Sequence, residues 1–243
     1  MKKSILLTCV LGWLLGGCAS QKPVEMAFGN LIAYSAQSGG HSYDGPEKNS
    51  PFTSALLQHI NDPDDIELIL RKVRQKVDSA TKGLQLPVTE SSLVNGTLVL
   101  SELRSSNKRA HALIIGNSAY GSAPPLANTV NDAKAISIAL KGLGFEVTEA
   151  LNTKRSDFTF VLNEFVKSSA RSDVVLLFYS GHGIQIKGQD FILSIDSDGL
   201  SEQKILSQGI PIKQIIESFS NKTKVFIFDT DRSDVFSSSN SRR

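Results

Sequence analysis

Two uninterrupted apolar runs, Val174-Val-Leu-Leu-Phe-Tyr179 and Val225-Phe-Ile-Phe228, constrain the fold more than any other feature of this chain. A strand with one solvated face alternates apolar and polar residues. A strand apolar at every position is buried on both faces, as in a parallel sheet covered by helices on each side. Ala112 to Ile115, ending at Gly116, is a third such run. Between these runs lie helical patterns. Ile136, Ala139, Leu140 and Leu143 fall on one face of a helix capped by Asn128 or Thr129 and stopped by Gly144. Phe158, Val161, Leu162 and Phe165 form the apolar face of a second helix, opening at Ser156, and Phe145 to Thr148 is a short strand between the two. The order strand, helix, strand, helix predicts a three-layer α/β/α sandwich around a mostly parallel sheet.

The first half of the chain repeats the vocabulary without repeating the sequence. Leu31 to Tyr34 is a strand candidate, followed by a polar loop from Ser35 to Ser50. Pro51 suits a helix start, where its missing N–H costs nothing. Ile66, Ile69, Leu70, Val73 and Val77 mark an amphipathic helix begun by Asp64 and Asp65, with Arg71, Lys72, Arg74 and Lys76 on its solvated face. Thr97 to Leu100 is an edge-strand candidate, and residues 101–109 have the polar composition of a linker.

The first residues carry a different message. Lys2 and Lys3 precede an apolar stretch from Ile5 to Leu15, too short for the roughly 20 residues of a permanent membrane helix. Leu15-Gly-Gly-Cys18 comes next and resembles a lipobox, which implies that residues 1–17 are a signal peptide and that Cys18 carries lipid. Residues 18–27 would then be a membrane tether. Ala19 and Ser20 come after it, with no Asp behind the cysteine; by resemblance to lipoprotein sorting, this points to a cell-envelope lipoprotein on the outer membrane, facing the periplasm. The chain contains only Cys9 and Cys18, so the processed protein is expected to have no free thiol, disulfide or cysteine metal ligand. The histidines His41, His59, His111 and His182 lack ligand spacing, and neither metal nor cofactor is expected. A net charge of +2 argues against a nucleic-acid partner.

Four segments of the second half resemble the caspase-like peptidases, in particular the bacterial metacaspase and orthocaspase relatives. Arg109-Ala-His-Ala-Leu-Ile-Ile-Gly-Asn-Ser-Ala-Tyr120 is similar to the family's opening strand. Pro124-Pro-Leu-Ala-Asn-Thr-Val-Asn-Asp-Ala133 resembles the entry to its first helix. Phe178-Tyr-Ser-Gly-His-Gly183 resembles the loop presenting the catalytic histidine, and Val225-Phe-Ile-Phe-Asp-Thr-Asp-Arg232 the strand that ends in Asp-Ala-Cys-Arg. The first half resembles the part of that family's domain beyond the nucleophile: Leu31-Ile-Ala-Tyr-Ser-Ala-Gln37 with Asp44-Gly45, then Asn49-Ser-Pro-Phe-Thr-Ser-Ala-Leu-Leu57, then Asp65 to Val77.

The resemblance therefore implies a caspase-like fold with a six-stranded sheet and its halves in permuted order. Residues 28–100 correspond to the family's C-terminal half and 110–236 to its N-terminal half, with 237–243 as a disordered tail. Neighbouring strands lie about 4.8 Å apart, which puts the family's first and last strands on the order of 20 Å from each other. Some eight linker residues reach about 27 Å. One chain can close this way; exchange of halves between two chains would give a homodimer, and a decayed gene product is the third alternative.

By the same resemblance, His182 occupies the catalytic position, Gly183 lies at the oxyanion hole, and Asp231 stands where the nucleophilic cysteine belongs. Asp44, Asp132 and Asp229 match the acidic residues that bind the substrate's Arg or Lys. A carboxylate attacking an amide would form an anhydride and is a poor substitute for a thiolate. The expectation is a membrane-anchored pseudopeptidase that binds basic segments of a peptide or protein without cleaving them. The alternative is a hydrolase of Arg/Lys specificity using a nonstandard nucleophile or a cysteine from a partner chain.

Overall fold

A computed structural model describes residues 26–197 and 201–233. The expected signal peptide, lipidated Cys18, most of the tether and the tail lie outside the described residues. In chain order the first part contains β1 (Gly29–Tyr34), α1 (Pro51–His59), α2 (Ile66–Ala80) and β2 (Val88–Ser91), then a 3-10 turn at Leu100–Ser105. The second part contains β3 (Ala110–Gly116), α3 (Thr129–Gly142), β4 (Glu146–Leu151), α4 (Arg155–Ser168), β5 (Val174–Ser180), β6 (Gly183–Ile186) and β7 (Gln189–Ile192). It continues through α5 (Glu202–Gln208), β8 (Ile210–Pro211) and α6 (Ile212–Glu217) to β9 (Thr223–Asp229).

Six strands form one sheet in the order β2-β1-β9-β5-β3-β4, parallel throughout except for the edge strand β2. One chain supplies all six, with β1 from its first part pairing directly with β9 from its last. Successive residues of the central strands serve opposite cores. Leu176, Phe178, Val225 and Ile227 pack with α1, α2 and α3 on one face. Val175, Leu177, Phe226 and Phe228 pack with α4 and α6 on the other. Burying such side chains contributes roughly 1.5–3 kcal/mol each, and a strand with two buried faces collects this at every position. The apolar runs are central strands for that reason.

The helix starts reflect local chemistry. The Asp65 side chain accepts the Glu67 N–H at 2.9 Å and caps α2. Ser50 caps α1, accepting the Thr53 N–H at 2.9 Å, with Pro51 in the first turn. The basic side of α2 is only partly solvated: Lys72 pairs with Asp62 and Asp64, while Arg74 donates to the Pro87 carbonyl.

The edge strand is not where it was expected. Thr97 to Leu100 makes only isolated bridges, because the Leu98 N–H donates to the Asp65 carboxylate and Val99 pairs with Asp65 at the start of α2. Val88–Ser91 takes the edge instead. The stretch read as a linker is also partly docked, since Leu100 and Leu103 of the 3-10 turn are buried. A second sheet, β6-β7-β8, was not anticipated. Its hairpin turns at Lys187-Gly188, both with positive φ, the conformation of a tight two-residue connection. Ile184, Ile186, Phe191 and Leu193 bury against Tyr120 beneath it.

Candidate active site

The carboxyl ends of β5 and β9 lie side by side, Ser180 opposite Asp229, the end of an open α/β sheet where ligands bind. Past Ser180 the chain turns through Gly181-His182-Gly183 into β6. Two tyrosines hold this turn. The His182 N–H donates to the Tyr120 hydroxyl at 2.7 Å, and the Tyr179 hydroxyl donates to the His182 carbonyl at 2.9 Å. Burial pushes the Tyr120 phenol up to about 12, so it stays neutral and available as an acceptor. A side chain at position 181 would meet the Tyr179 and Tyr120 hydroxyls at 2.5 and 2.6 Å; one at position 183 would meet Thr230 and the Asp231 carbonyl. Close approach, not backbone torsion, demands glycine on each side of His182.

The imidazole is oriented by a carbonyl. His182 Nε2 lies 2.8 Å from the Pro124 carbonyl oxygen, which can only accept, so Nε2 is the donor in that bond. The ring also packs against Tyr120, with centroids 4.5 Å apart.

Asp231 lies two residues past the end of β9 and lines the same cavity as His182. Its carboxylate accepts the Ser42 N–H at 2.6 Å and lies 3.9 Å from His41 Nδ1. Burial raises its pKa, a shift opposed first by the Ser42 N–H and then by His41 and His182. Ser42 also reaches Asp229, donating its hydroxyl at 2.9 Å, so Asp229 and Asp231 face one residue of the 35–50 loop. Thr230, between them, points the other way against Gly183, as strand alternation requires.

The remaining carboxylates lie deeper. Asp132, on the first turn of α3 and 1% exposed, accepts from Asn49 Nδ2 at 2.8 Å and from the Ser50 N–H at 3.1 Å. Asp229, 6% exposed, accepts from the hydroxyls of Ser50, Ser42 and Thr53. Burial is the main cause that pushes Asp132 up to about 7, with repulsion from Asp229 next; burial raises Asp229 as well. Asp44 sits at the rim, its carboxylate on the Ala127 N–H at 3.3 Å and its carbonyl on Asn128. Together Asp44, Asp132, Asp229, Asp231 and His182 line a cavity of about 30 Å³ whose lining contains no Lys or Arg. That is room for about one water.

A family model described as the caspase domain, peptidase C14, matches residues 18–98 and 109–242. This chain belongs to the caspase-domain family. Among curated proteins it is similar to the mucosa-associated lymphoid tissue lymphoma translocation protein 1 of human and to its mouse homolog, 27% identical over 123 residues in each case. The similarity covers 50% of this chain but only 14% of the mouse protein and 15% of the human one.

Within this caspase domain the segment after β9 is clamped from several sides. The Thr230 N–H donates to Ser35 Oγ at 3.0 Å, and Arg232 exchanges backbone hydrogen bonds with Gly39 and Gly40. The Arg232 guanidinium makes a two-point contact with the Asp190 carboxylate at 3.1 and 2.8 Å and stacks 3.8 Å over the Tyr34 ring. It is therefore committed to structure. Buried Gln85 ties the 35–50 loop to the same cluster through the Ser35 carbonyl and Ser42. Pro124, Ser42, Ser50, Thr53, Asn49 and Gln85 were not anticipated as site residues. Serines in a polar loop and a backbone carbonyl carry no side-chain pattern by which to find them.

The packing between Gly183 and Thr230 yields a direct expectation. A Cβ at 183 would lie within 2.1 Å of Thr230 Oγ1, a buried hydroxyl with no hydrogen-bond partner, and 2.9 Å from the Asp231 carbonyl. Gly183→Ala is expected to destabilise the protein by about 2 kcal/mol through overpacking. Adding Thr230→Ala should recover most of the loss, and urea denaturation of the single and double variants measures it.

Proposed function

We propose that this caspase domain is a membrane-tethered pseudopeptidase that binds Arg- or Lys-bearing segments of a peptide or protein and does not cut them. The observation that carries the reading is the cavity lining: four carboxylates and no Lys or Arg. Two of those carboxylates, Asp132 and Asp229, are buried and held above the ordinary carboxylate range, chiefly by desolvation. A guanidinium entering the cavity supplies the counter-charge they lack and can bond carboxylates at two points. The cavity is narrow, so entry requires the 35–50 loop, with Ser42 and Asp44, to move outward. Asp231 at the nucleophile position, in a chain whose only cysteines are Cys9 and Cys18, supports loss of cutting. The permuted order is supported by the direct pairing of β1, from the first part of the chain, with β9, from the last. Among the described residues no helix is long and apolar enough to cross a membrane. Tethering in this reading comes from lipid on Cys18, at the outer membrane facing the periplasm.

Titration calorimetry of the full chain with hexapeptides ending in Arg or in Gln tests the proposal. The Arg peptide is expected to bind and the Gln peptide to give no heat. The cation requires ionised Asp132, whose protonation near pH 7 competes with it. Affinity should therefore rise with pH through that value and fall about tenfold for each unit below it. Equal binding of both peptides would rule the pocket out as a basic-residue site. Cleavage of the Arg peptide, lost in His182→Ala, would show a hydrolase instead.

A further inference from the structure

At the amino ends of the parallel strands, opposite the acidic cavity, the charge reverses. Met26, where the described chain begins, lines a groove with Phe28, Asn95, Lys108, Arg171 and Lys222. The three cations are all exposed. The one acid in this lining, Asp173, is engaged by the Arg109 N–H at 2.8 Å. Phe28 and Val94 are 45% and 48% exposed. They exchange both backbone hydrogen bonds of an antiparallel bridge, at 3.0 and 2.9 Å, which sets their side chains on one side as neighbours. Two exposed apolar side chains beside three exposed cations, which outnumber the single acid of the groove, match the headgroup region of an anionic bilayer.

The preceding chain brings such a bilayer within reach. Seven residues lie between Cys18 and Met26, eight steps along the chain that reach at most about 27 Å when extended. We propose that the face bearing Phe28, Val94, Lys108, Arg171 and Lys222 lies on anionic phospholipid headgroups, so that the acidic cavity points away from the membrane. The inference rests on the reading that Cys18 carries lipid. Lipid alone fixes distance and leaves the domain free to rotate. The basic end is drawn to the surface and the end bearing Asp44 and Asp231 is repelled by it, each within a Debye length of about 8 Å.

The test uses the full chain purified from membranes and reconstituted in vesicles of phosphatidylglycerol and phosphatidylethanolamine. A fluorophore is attached through Ser220→Cys, at the basic end, or Gln37→Cys, at the cavity end. Quenching by nitroxide-labelled lipid is expected to be strong at position 220 and weak at 37. The preference should drop about fivefold for each of Lys108→Gln, Arg171→Gln and Lys222→Gln, and vanish in phosphatidylcholine vesicles. Vesicle-bound protein quenched equally at both positions, or more at 37, would overturn the orientation while leaving lipidation intact. A chain that carries no acyl mass on Cys18 and stays out of the vesicles would overturn both.

Discussion

Asp231→Cys is expected to convert the protein into an Arg/Lys-directed peptidase, with turnover of fluorogenic peptides at least about a thousandfold above the unmodified chain. Burial at position 231 works against an anion, and the Ser42 N–H, His41 and His182 oppose that effect. His182 is held through Nε2 by the Pro124 carbonyl, so Nδ1 is the ring nitrogen left for proton exchange. Gly183 lies directly against the Thr230–Asp231 segment, where any side chain would crowd the group at 231. Adding His182→Ala to the cysteine variant should lower turnover by roughly 10²- to 10⁴-fold. A cysteine variant that keeps the wild-type circular dichroism and melting temperature yet cuts nothing would show that the site does not retain peptidase geometry.

Asp132→Asn is expected to stabilise the protein, and only at higher pH. Asp132 has a folded-state pKa of about 7, raised by burial and by Asp229. The folded state therefore holds a proton that the unfolded chain, near its ordinary value of about 3.9, has released. Between those two values stability falls as pH rises, and above about 7 the whole penalty of a buried carboxylate is present. Asparagine avoids the ionisation and keeps the acceptor that meets Asn49 Nδ2 and the Ser50 N–H. Urea denaturation should show no difference near pH 4 and a gain of roughly 2–4 kcal/mol at pH 8. The same variant should bind the Arg peptide more weakly, trading stability against the site. Destabilisation of equal size at every pH would mean that the carboxylate is ionised throughout and serves only as a structural acceptor.

The two predictions bear on different properties of one cluster. Asp231, two residues past β9, is half-buried and lines the cavity with His182. Asp132 and Asp229 are more deeply buried, in a cavity whose lining contains no Lys or Arg to answer their charge. Ser50 couples them, since its N–H meets Asp132 while its hydroxyl meets Asp229 and caps α1. A ligand that draws Ser50 away from either carboxylate therefore also loosens the start of a helix packed in the core.

How much of this is legible in the sequence differs by element. Val174–Ser180 and Thr223–Asp229 stand out because burial on two faces leaves no polar position. α2 stands out because burial on one face leaves a regular stripe, Ile66, Ile69, Leu70, Val73 and Val77. Val88–Ser91 does not, because an edge strand half open to solvent can be Val-Thr-Glu-Ser and read as loop. Nor does β6-β7-β8, whose strands have four residues or fewer, too short for alternation to rise above chance.

The sequence by itself determined the apolar runs that must be central strands, the amphipathic helices that cover them, and the placing of His182 and Asp231 just past two such strands. Those are local patterns, set by how many faces of an element are buried. Only the tertiary structure decided that Asp132, Asp229 and Asp231, from two separate elements, line one cavity with His182. It alone showed that loop serines rather than cations answer the buried carboxylates, and that a proline carbonyl orients the imidazole. Those relations depend on distances between segments far apart in the chain, which no periodicity within a segment encodes.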